Sequence, residues 1–212
     1  MQNLHQLKKR IIDISYKYQK AHISSSLIAV ETIDRIYRNK TPHEPFILSS
    51  GCAGLALFVV LEKYAHKNAE TLFKKYGTYP QYNLKDGIYC SAGSLGHGIG
   101  IAVGMALSDK TRTVYCMVTD GECAEGSVWE AVRIAAELRL HNLNIFVIAN
   151  GYAAYKTVDV DRLEKQIEAF VINDCPRVIF ERRDCTLPHL EGIGGRYKFL
   201  SESEYRDVLV AL

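Results

Sequence analysis

Two short apolar runs, Thr113-Val-Tyr-Cys-Met-Val118 and Asn144-Ile-Phe-Val-Ile-Ala149, do most to limit how this chain can fold. Each has the length of a buried strand, and neither alternates with polar residues as a half-exposed strand would. Between them lies Ser127 to Arg139, whose apolar residues return every three or four positions, as on one side of a helix. Strand, helix and strand in that order form a crossover unit, and a crossover makes the two strands parallel. Phe46 to Ser49 is a third run of the same kind, and Arg177 to Phe180 a fourth. The expected fold is α/β, three layers of helix, sheet and helix with a mainly parallel central sheet.

The remaining pattern is helical. Apolar residues at Leu4, Leu7, Ile11, Ile14 and Tyr18 predict a helix from Leu4 to Gln19. Further helices are expected over Ser26–Arg38, Ala53–His66, Val160–Phe170 and Ser201–Leu212, the last opened by a capping box of Ser201 and Glu204. A loop rich in Tyr and Gly runs from Tyr76 to Gly87, and then Gly96, Gly100 and Gly104 are spaced so that a helix could lie close to a neighbour or a ligand. No repeat, low-complexity stretch or shift in composition divides the chain, so residues 1–212 read as one domain.

Composition narrows the partners. A formal charge of +2, with no dense basic run, gives no field to attract nucleic acid or an anionic membrane. The six cysteines form no CxxC pair or other metal-ligand spacing. The N-terminal residues have no apolar signal core, and no apolar run approaches the length of a membrane span. A cytoplasmic, reducing setting is the expectation.

The chemistry gathers after the two central strands. Asp120-Gly121 closes one and Asn150-Gly151 the other, so both project from the carboxyl edge of the sheet, where open parallel sheets bind ligands. A carboxylate and an amide oxygen suit a hard cation, Mg²⁺ or Ca²⁺, and such a cation can carry a diphosphate. Asp-Gly and Asn-Gly after strands are also simply turns, and on the residues alone both readings stand.

The block TDGECAEGSVWEAVRIAAELRLHNLNIFVIANGY, residues 119–152, resembles the thiamine-diphosphate motif of transketolases, in which Gly-Asp-Gly is followed by a helix and by Asn about thirty residues on. Three more blocks occur in the family's order. Ala21-His-Ile-Ser-Ser-Ser-Leu27 is similar to its GHIGGSL, Phe46-Ile-Leu-Ser-Ser-Gly-Cys-Ala53 to its FILSKGHA, and Gly93-Ser-Leu-Gly-His-Gly98 to its GSLGQG. The likeness covers roughly residues 5 to 155, with a fainter echo at Arg196–Leu209.

The resemblance implies the thiamine-diphosphate-binding fold, with Asp120, Asn150 and the carbonyl of Tyr152 as metal ligands. Gly93, Leu95, Thr119, Gly121 and Glu122 would line the cofactor, and the backbone N–H of Thr119 would face phosphate. His22 and His97 would reach the active site, and Glu125 would be a carboxylate buried at an interface, part of a link between two cofactor sites. Trp129 would serve packing. The family's cofactor also needs a pyrimidine-binding domain, expected here on a separate C-terminal-type subunit in a dimer of heterodimers.

Departures from the family pattern concentrate at the sugar end. Ser24 and Ser25 stand for two glycines, Ser50 for a lysine, Cys52 for a histidine and Thr119 for a glycine; the family's histidine before the loop proline has no match at Tyr79-Pro80. Ser25 and Cys52 would line the substrate channel, and His189 could replace a lost phosphate contact. The reaction implied is transfer of a two-carbon ketol unit from a ketose to an aldehyde, with an unusual sugar. The alternatives are a decarboxylating condensation like that of deoxyxylulose-phosphate synthase, and a binding subunit without catalysis.

Overall fold

The structure, a computed structural model, describes residues 3–154 and 156–212. In chain order its elements are α1 (Leu4–Lys17), α2 (Ile23–Asn39), β1 (Phe46–Leu48), α3 (Gly54–Ala65), α4 (Ala69–Tyr76), α5 (His97–Ser108), β2 (Val114–Thr119), α6 (Gly126–Glu137), β3 (Leu143–Ala149), α7 (Val160–Glu168), β4 (Arg177–Arg182), α8 (Gly192–Arg196) and α9 (Glu202–Ala211). They fall into two compact units, each sewn from separated stretches: residues 1–39, 52–80 and 184–212 in the first, and 40–51 and 81–183 in the second. Because the chain passes back and forth between them, no boundary in composition marks the division.

The second unit holds the sheet. Its four strands lie in the order β1-β2-β3-β4 and every neighbouring pair is parallel, as the crossover pattern requires. In register, Leu48 is level with Met117 and Thr119 with Ile148, so the carboxyl ends of β1, β2 and β3 share one edge. One face of the sheet, with Ile47, Cys116, Val118, Ile145 and Val147, packs in a common core with Ile99 and Ala102 of α5, Val128 and Val132 of α6, and Leu163 and Ile167 of α7. Residues of the opposite parity, Phe46, Leu48, Met117, Phe146 and Ile148, are buried too. Both faces are covered, which is why these strands carry no polar alternation.

The first unit is helical. Leu7, Ile11 and Ile14 of α1, Leu27, Val30 and Ile33 of α2, and Leu55, Phe58 and Val59 of α3 are its buried apolar residues. Asn3 and Gln6 cap α1 reciprocally, and Ser201 and Glu204 form the expected box at α9. Tyr205 ties α9 to α1 by stacking on Tyr16 at 4.2 Å between ring centres and by donating to Asp13 at 2.8 Å. Among the described residues no helix is long and apolar enough to cross a membrane.

Three boundaries depart from the sequence reading. Helix α2 begins at Ile23, three residues earlier than expected, so Ser24 and Ser25 lie in its first turn rather than in a loop. Helix α4 is not among the expected helices, although Ala69, Leu72, Phe73 and Tyr76 recur at helical spacing and Ala69 and Leu72 are buried. Helix α8 contains three glycines and reads as loop, yet it packs with α2 and Gly195 lies directly on the backbone of Leu190.

Candidate functional site

At the carboxyl edge of the sheet, Asp120 leaves β2 with its side chain almost wholly buried, at 2% exposure. It reaches across to the end of β3. Its Oδ2 accepts from the backbone N–H of Asn150 at 3.1 Å and of Gly151 at 2.7 Å, and its Oδ1 accepts from Gly121 at 2.9 Å. The Asn150 Oδ1 accepts from the N–H of Tyr152 at 3.1 Å. Gly151, at φ +78°, turns the chain in the left-handed region that glycine tolerates, and the loop closes where Val158 donates to Gly151 O at 2.8 Å. A Cβ on Gly121 would lie 3.4 Å from the carbonyl oxygen of Tyr152 and 3.3 Å from Ala153 Cα, so the Asp120-Gly121 turn rests against that loop. Asp120, Asn150 and the Tyr152 carbonyl are thus drawn to one place.

Glu122, two residues on, faces the opposite way. It is fully buried, and its Oε1 accepts from Ser49 Oγ at 2.7 Å and from the N–H of Gly96 at 3.0 Å, while its Oε2 accepts from the N–H of Thr119 at 3.1 Å. Burial pushes the Glu122 carboxyl up and these three donors pull it back. Two expectations are corrected here. Glu122, expected to line the cofactor, is fully buried with both carboxylate oxygens on protein donors. The Thr119 N–H, expected to meet phosphate, is directed at Glu122, and the Thr119 hydroxyl accepts from Glu122 N at 3.3 Å.

Around this carboxylate lie inert thiols. Burial first, and the Glu122 charge second, push the Cys90 thiol up to about 11 and raise Cys116 and Cys123 as well. No disulfide joins any of the six cysteines among the described residues.

Gly93, Leu95 and His97 occupy an exposed stretch that leads into α5, with Leu95 at 42% exposure and open space above the Cα of Gly93. The glycines of α5 do not all pack as expected. A Cβ on Gly98 would fall 2.6 Å from Ser49 Cα, so that turn of the helix is pressed onto the end of β1; Gly100 and Gly104 have nothing within 4 Å. Glu125, expected as a carboxylate buried at an interface, is exposed in the single chain at the start of α6, and no side-chain bond caps the helix there. The Trp129 indole donates to Cys123 O at 2.8 Å and its ring lies against Phe170, the packing role expected of it.

His22, Ser25 and Cys52 belong to the first unit. His22 takes φ +59° in front of α2, and its N–H donates to Arg196 O at 2.7 Å. Its ring stands edge-on to Tyr197 at 5.3 Å and to Tyr79 at 6.4 Å, and its Nδ1 is buried with no hydrogen-bond partner among the described residues. Burial, then the cations of Lys20 and Arg196, lower its pKa to about 4, so the imidazole is neutral at ordinary pH. Lys20, at 3% exposure, donates to Ala21 O at 2.7 Å and to His22 O at 3.3 Å, and burial lowers its amine to about 8. Ser25 and Cys52 are half-buried. Sequence reasoning missed Lys20, Tyr197 and Arg196, since Tyr197 and Arg196 lie far along the chain and only folding brings them to His22. His189 is corrected as well: it faces Asp207 at 3.3 Å and Glu204 at 3.8 Å, acids that would repel a phosphate.

Residues 28–171, more than half of the chain, match the family described as transketolase, thiamine diphosphate binding domain. The chain belongs to that family. It is 28% identical over 163 residues to one subunit of the apulose-4-phosphate transketolase of Phocaeicola vulgatus, covering 68% of this chain and 58% of that protein. It is 30% identical to the 6-deoxy-6-sulfo-D-fructose transketolase subunit SqwG of a Clostridium species, covering 68% of this chain and 60% of that one. This transketolase-family chain therefore spans less than two thirds of the length of either. Among solved structures, transketolase from Pichia stipitis superposes with a TM-score of 0.79 at 19% identity, over 97% of this chain and 39% of that one. Transketolase from Campylobacter jejuni gives 0.75 at 19%, over 98% and 42%. At such identity the likeness speaks for the fold.

The donor set of this transketolase domain fits a hard divalent cation. A carboxylate, an amide oxygen and a carbonyl oxygen are the ligand types Mg²⁺ and Ca²⁺ take, and they meet where Gly121 permits close backbone approach. Only one acid contributes. Among the described residues no group of three His, Cys, Asp or Glu that could hold a metal occurs.

Proposed function

We propose that this chain holds the diphosphate and a divalent cation, Mg²⁺ or Ca²⁺, of thiamine diphosphate, and that with a pyrimidine-binding partner chain it transfers a two-carbon ketol unit from a ketose to an aldehyde. The observation that carries the reading is the convergence of Asp120, Asn150 and the Tyr152 carbonyl at the carboxyl edge of the sheet. Bound thiamine diphosphate would supply a nucleophilic carbon that holds the transferred unit. The chain's own part is to bind and orient. Asp120, Asn150 and Tyr152 hold the cation, Gly121 admits the diphosphate, and Gly93, Leu95 and His97 offer an exposed surface to the cofactor.

The partner is inferred from relatives named as subunits. Glu125, exposed here, is available for burial against that partner in a dimer of heterodimers. The neutral ring of His22, on a half-buried residue, is suited to hydrogen-bond a sugar hydroxyl without carrying charge. Cys52 and Ser25, in place of an imidazole and a glycine, argue for a sugar other than the common pentose phosphates. Two relatives are named for such sugars, apulose 4-phosphate and 6-deoxy-6-sulfo-D-fructose. The setting proposed is cytoplasmic.

A second reading, a binding subunit without catalysis, is favoured by the Thr119 N–H being spent on Glu122. One experiment separates the two. The chain is purified with its pyrimidine-binding partner, titrated with thiamine diphosphate and Mg²⁺, and assayed for ketol transfer to an aldehyde. Cofactor binding with transfer is expected, and Asp120→Ala should abolish both. Binding without transfer for any donor sugar would leave the second reading standing. No cofactor binding by the complex would sink the proposal.

A further inference from the structure

We propose that Glu122 is a positioning residue: a buried carboxylate that fixes three separate backbone segments into the one arrangement that receives the diphosphate. The inference rests on the cofactor reading above. Its basis is the set of donors that Glu122 collects. Ser49 Oγ belongs to the segment after β1, the Gly96 N–H to the entry of α5, and the Thr119 N–H to the end of β2. The first two of these segments are also in contact through their backbones, since Gly98 is seated on Ser49, and Gly51 on the Ala92 carbonyl.

Asp120 does the complementary task from the next position but one, tying the end of β2 to the loop after β3 through Asn150 and Gly151. Two neighbouring acids, pointing opposite ways from one turn, thus hold the carboxyl ends of β1, β2 and β3 together. Asp120 keeps a place in the cation's donor set, whereas Glu122 is sealed from solvent and acts only through the backbone it holds. Binding sites gain from such locking, because groups fixed beforehand need no reordering when the ligand arrives.

Glutamine cannot replace Glu122 in this role. The carboxylate only accepts, whereas the amide has one accepting oxygen and a donating NH₂. If the amide oxygen serves Ser49 and Gly96, the NH₂ confronts Thr119 N–H. If it serves Thr119, the NH₂ can pair with the Ser49 hydroxyl but confronts Gly96 N–H. Either orientation leaves one buried backbone donor unpaired.

The test uses the chain with its partner, the variants Glu122→Gln and Ser49→Ala, and the control Leu143→Ala, a buried residue at the amino end of β3. Amide exchange of the ligand-free protein is followed by NMR, and the dissociation constant for Mg²⁺–thiamine diphosphate is measured. Glu122→Gln should speed exchange at Gly96 or Thr119, and across Ser49–Gly51, by roughly tenfold, and weaken binding by about the same factor. Ser49→Ala, which strands no N–H, should loosen Ser49–Gly51 alone and weaken binding less. Leu143→Ala should lower the melting temperature and leave both readouts alone.

Unchanged exchange at the three segments, or unchanged affinity once they are loosened, would overturn the proposal. So would a control that loosens them equally. If the wild-type complex binds no cofactor, the function proposed above fails, and the exchange data still decide whether Glu122 holds the three segments.

Discussion

Asp120→Asn is the sharpest test of the edge-of-sheet geometry, because the substitution keeps shape and removes only charge and accepting capacity. Among its partners in the described residues, the Asp120 carboxylate receives the N–H groups of Asn150 and Gly151 on Oδ2 and that of Gly121 on Oδ1. Asparagine has a single accepting oxygen. In its better orientation that oxygen keeps Asn150 and Gly151, and the new NH₂ confronts the N–H of Gly121. One backbone donor left unpaired in a nearly buried site costs about 1–3 kcal/mol. For a chain of this length each kcal/mol moves the melting temperature by about 2–4 °C, so the ligand-free variant should melt roughly 2–12 °C lower. Differential scanning fluorimetry without metal or cofactor reads this directly. With the partner chain present, wild type at about 100 times its dissociation constant should gain about 2.7 kcal/mol from Mg²⁺–thiamine diphosphate. The variant should gain almost nothing. A ligand-free variant as stable as wild type would refute the hydrogen-bond reasoning, and a full ligand-induced shift in the variant would refute the cation assignment.

Further outcomes follow from particular residues. Gly98→Ala should destabilise by about 1–3 kcal/mol, since its Cβ would fall on the backbone of Ser49, whereas Gly104→Ala, in open space, should stabilise the isolated chain by about 0.5–1 kcal/mol; chemical denaturation compares them. His22 holds a pKa of about 4 in the folded chain against an ordinary 6.5, so acid protonates the unfolded state first, and stability should fall as pH drops from about 6.5 to 4. NMR should show the His22 ring unchanged from about pH 8 to 5, and His22→Gln should flatten the melting curve across the lower window. Lys20 acts in the same sense at high pH: its native amine is released near 8 and the unfolded one near 10.5, so stability should rise with pH between those values, and Lys20→Met should remove that rise. Asp34→Ala would strand the buried ammonium of Lys63, which it meets at 2.6 Å, and should cost about 3–5 kcal/mol in urea unfolding.

The sequence by itself determined the parallel sheet and the place of the edge where Asp120 and Asn150 lie. Continuous apolar runs at Thr113–Val118 and Asn144–Ala149, with a helix between them, leave a right-handed crossover as the natural arrangement. The interval from Asp120 to Asn150 then follows, because both residues end strands that lie side by side and in register. Those are properties of local period and chain order, which a linear reading contains.

Direction and burial of individual side chains were decided only in three dimensions. Glu122 sits in the same motif as Asp120, yet it turns inward because Ser49 and Gly96, from segments 73 and 26 residues away, arrive there as donors. That contact also takes the Thr119 N–H away from phosphate. Glu125 is left exposed for the converse reason: no described segment of this chain comes to cover it. His22 becomes a neutral imidazole only because Lys20, Tyr79, Arg196 and Tyr197 surround it, and desolvation depends on what folding packs nearby rather than on the neighbours in sequence. The edge that gathers Asp120 and Asn150 is written in the order of the residues, and the direction and charge of individual side chains are set by tertiary packing.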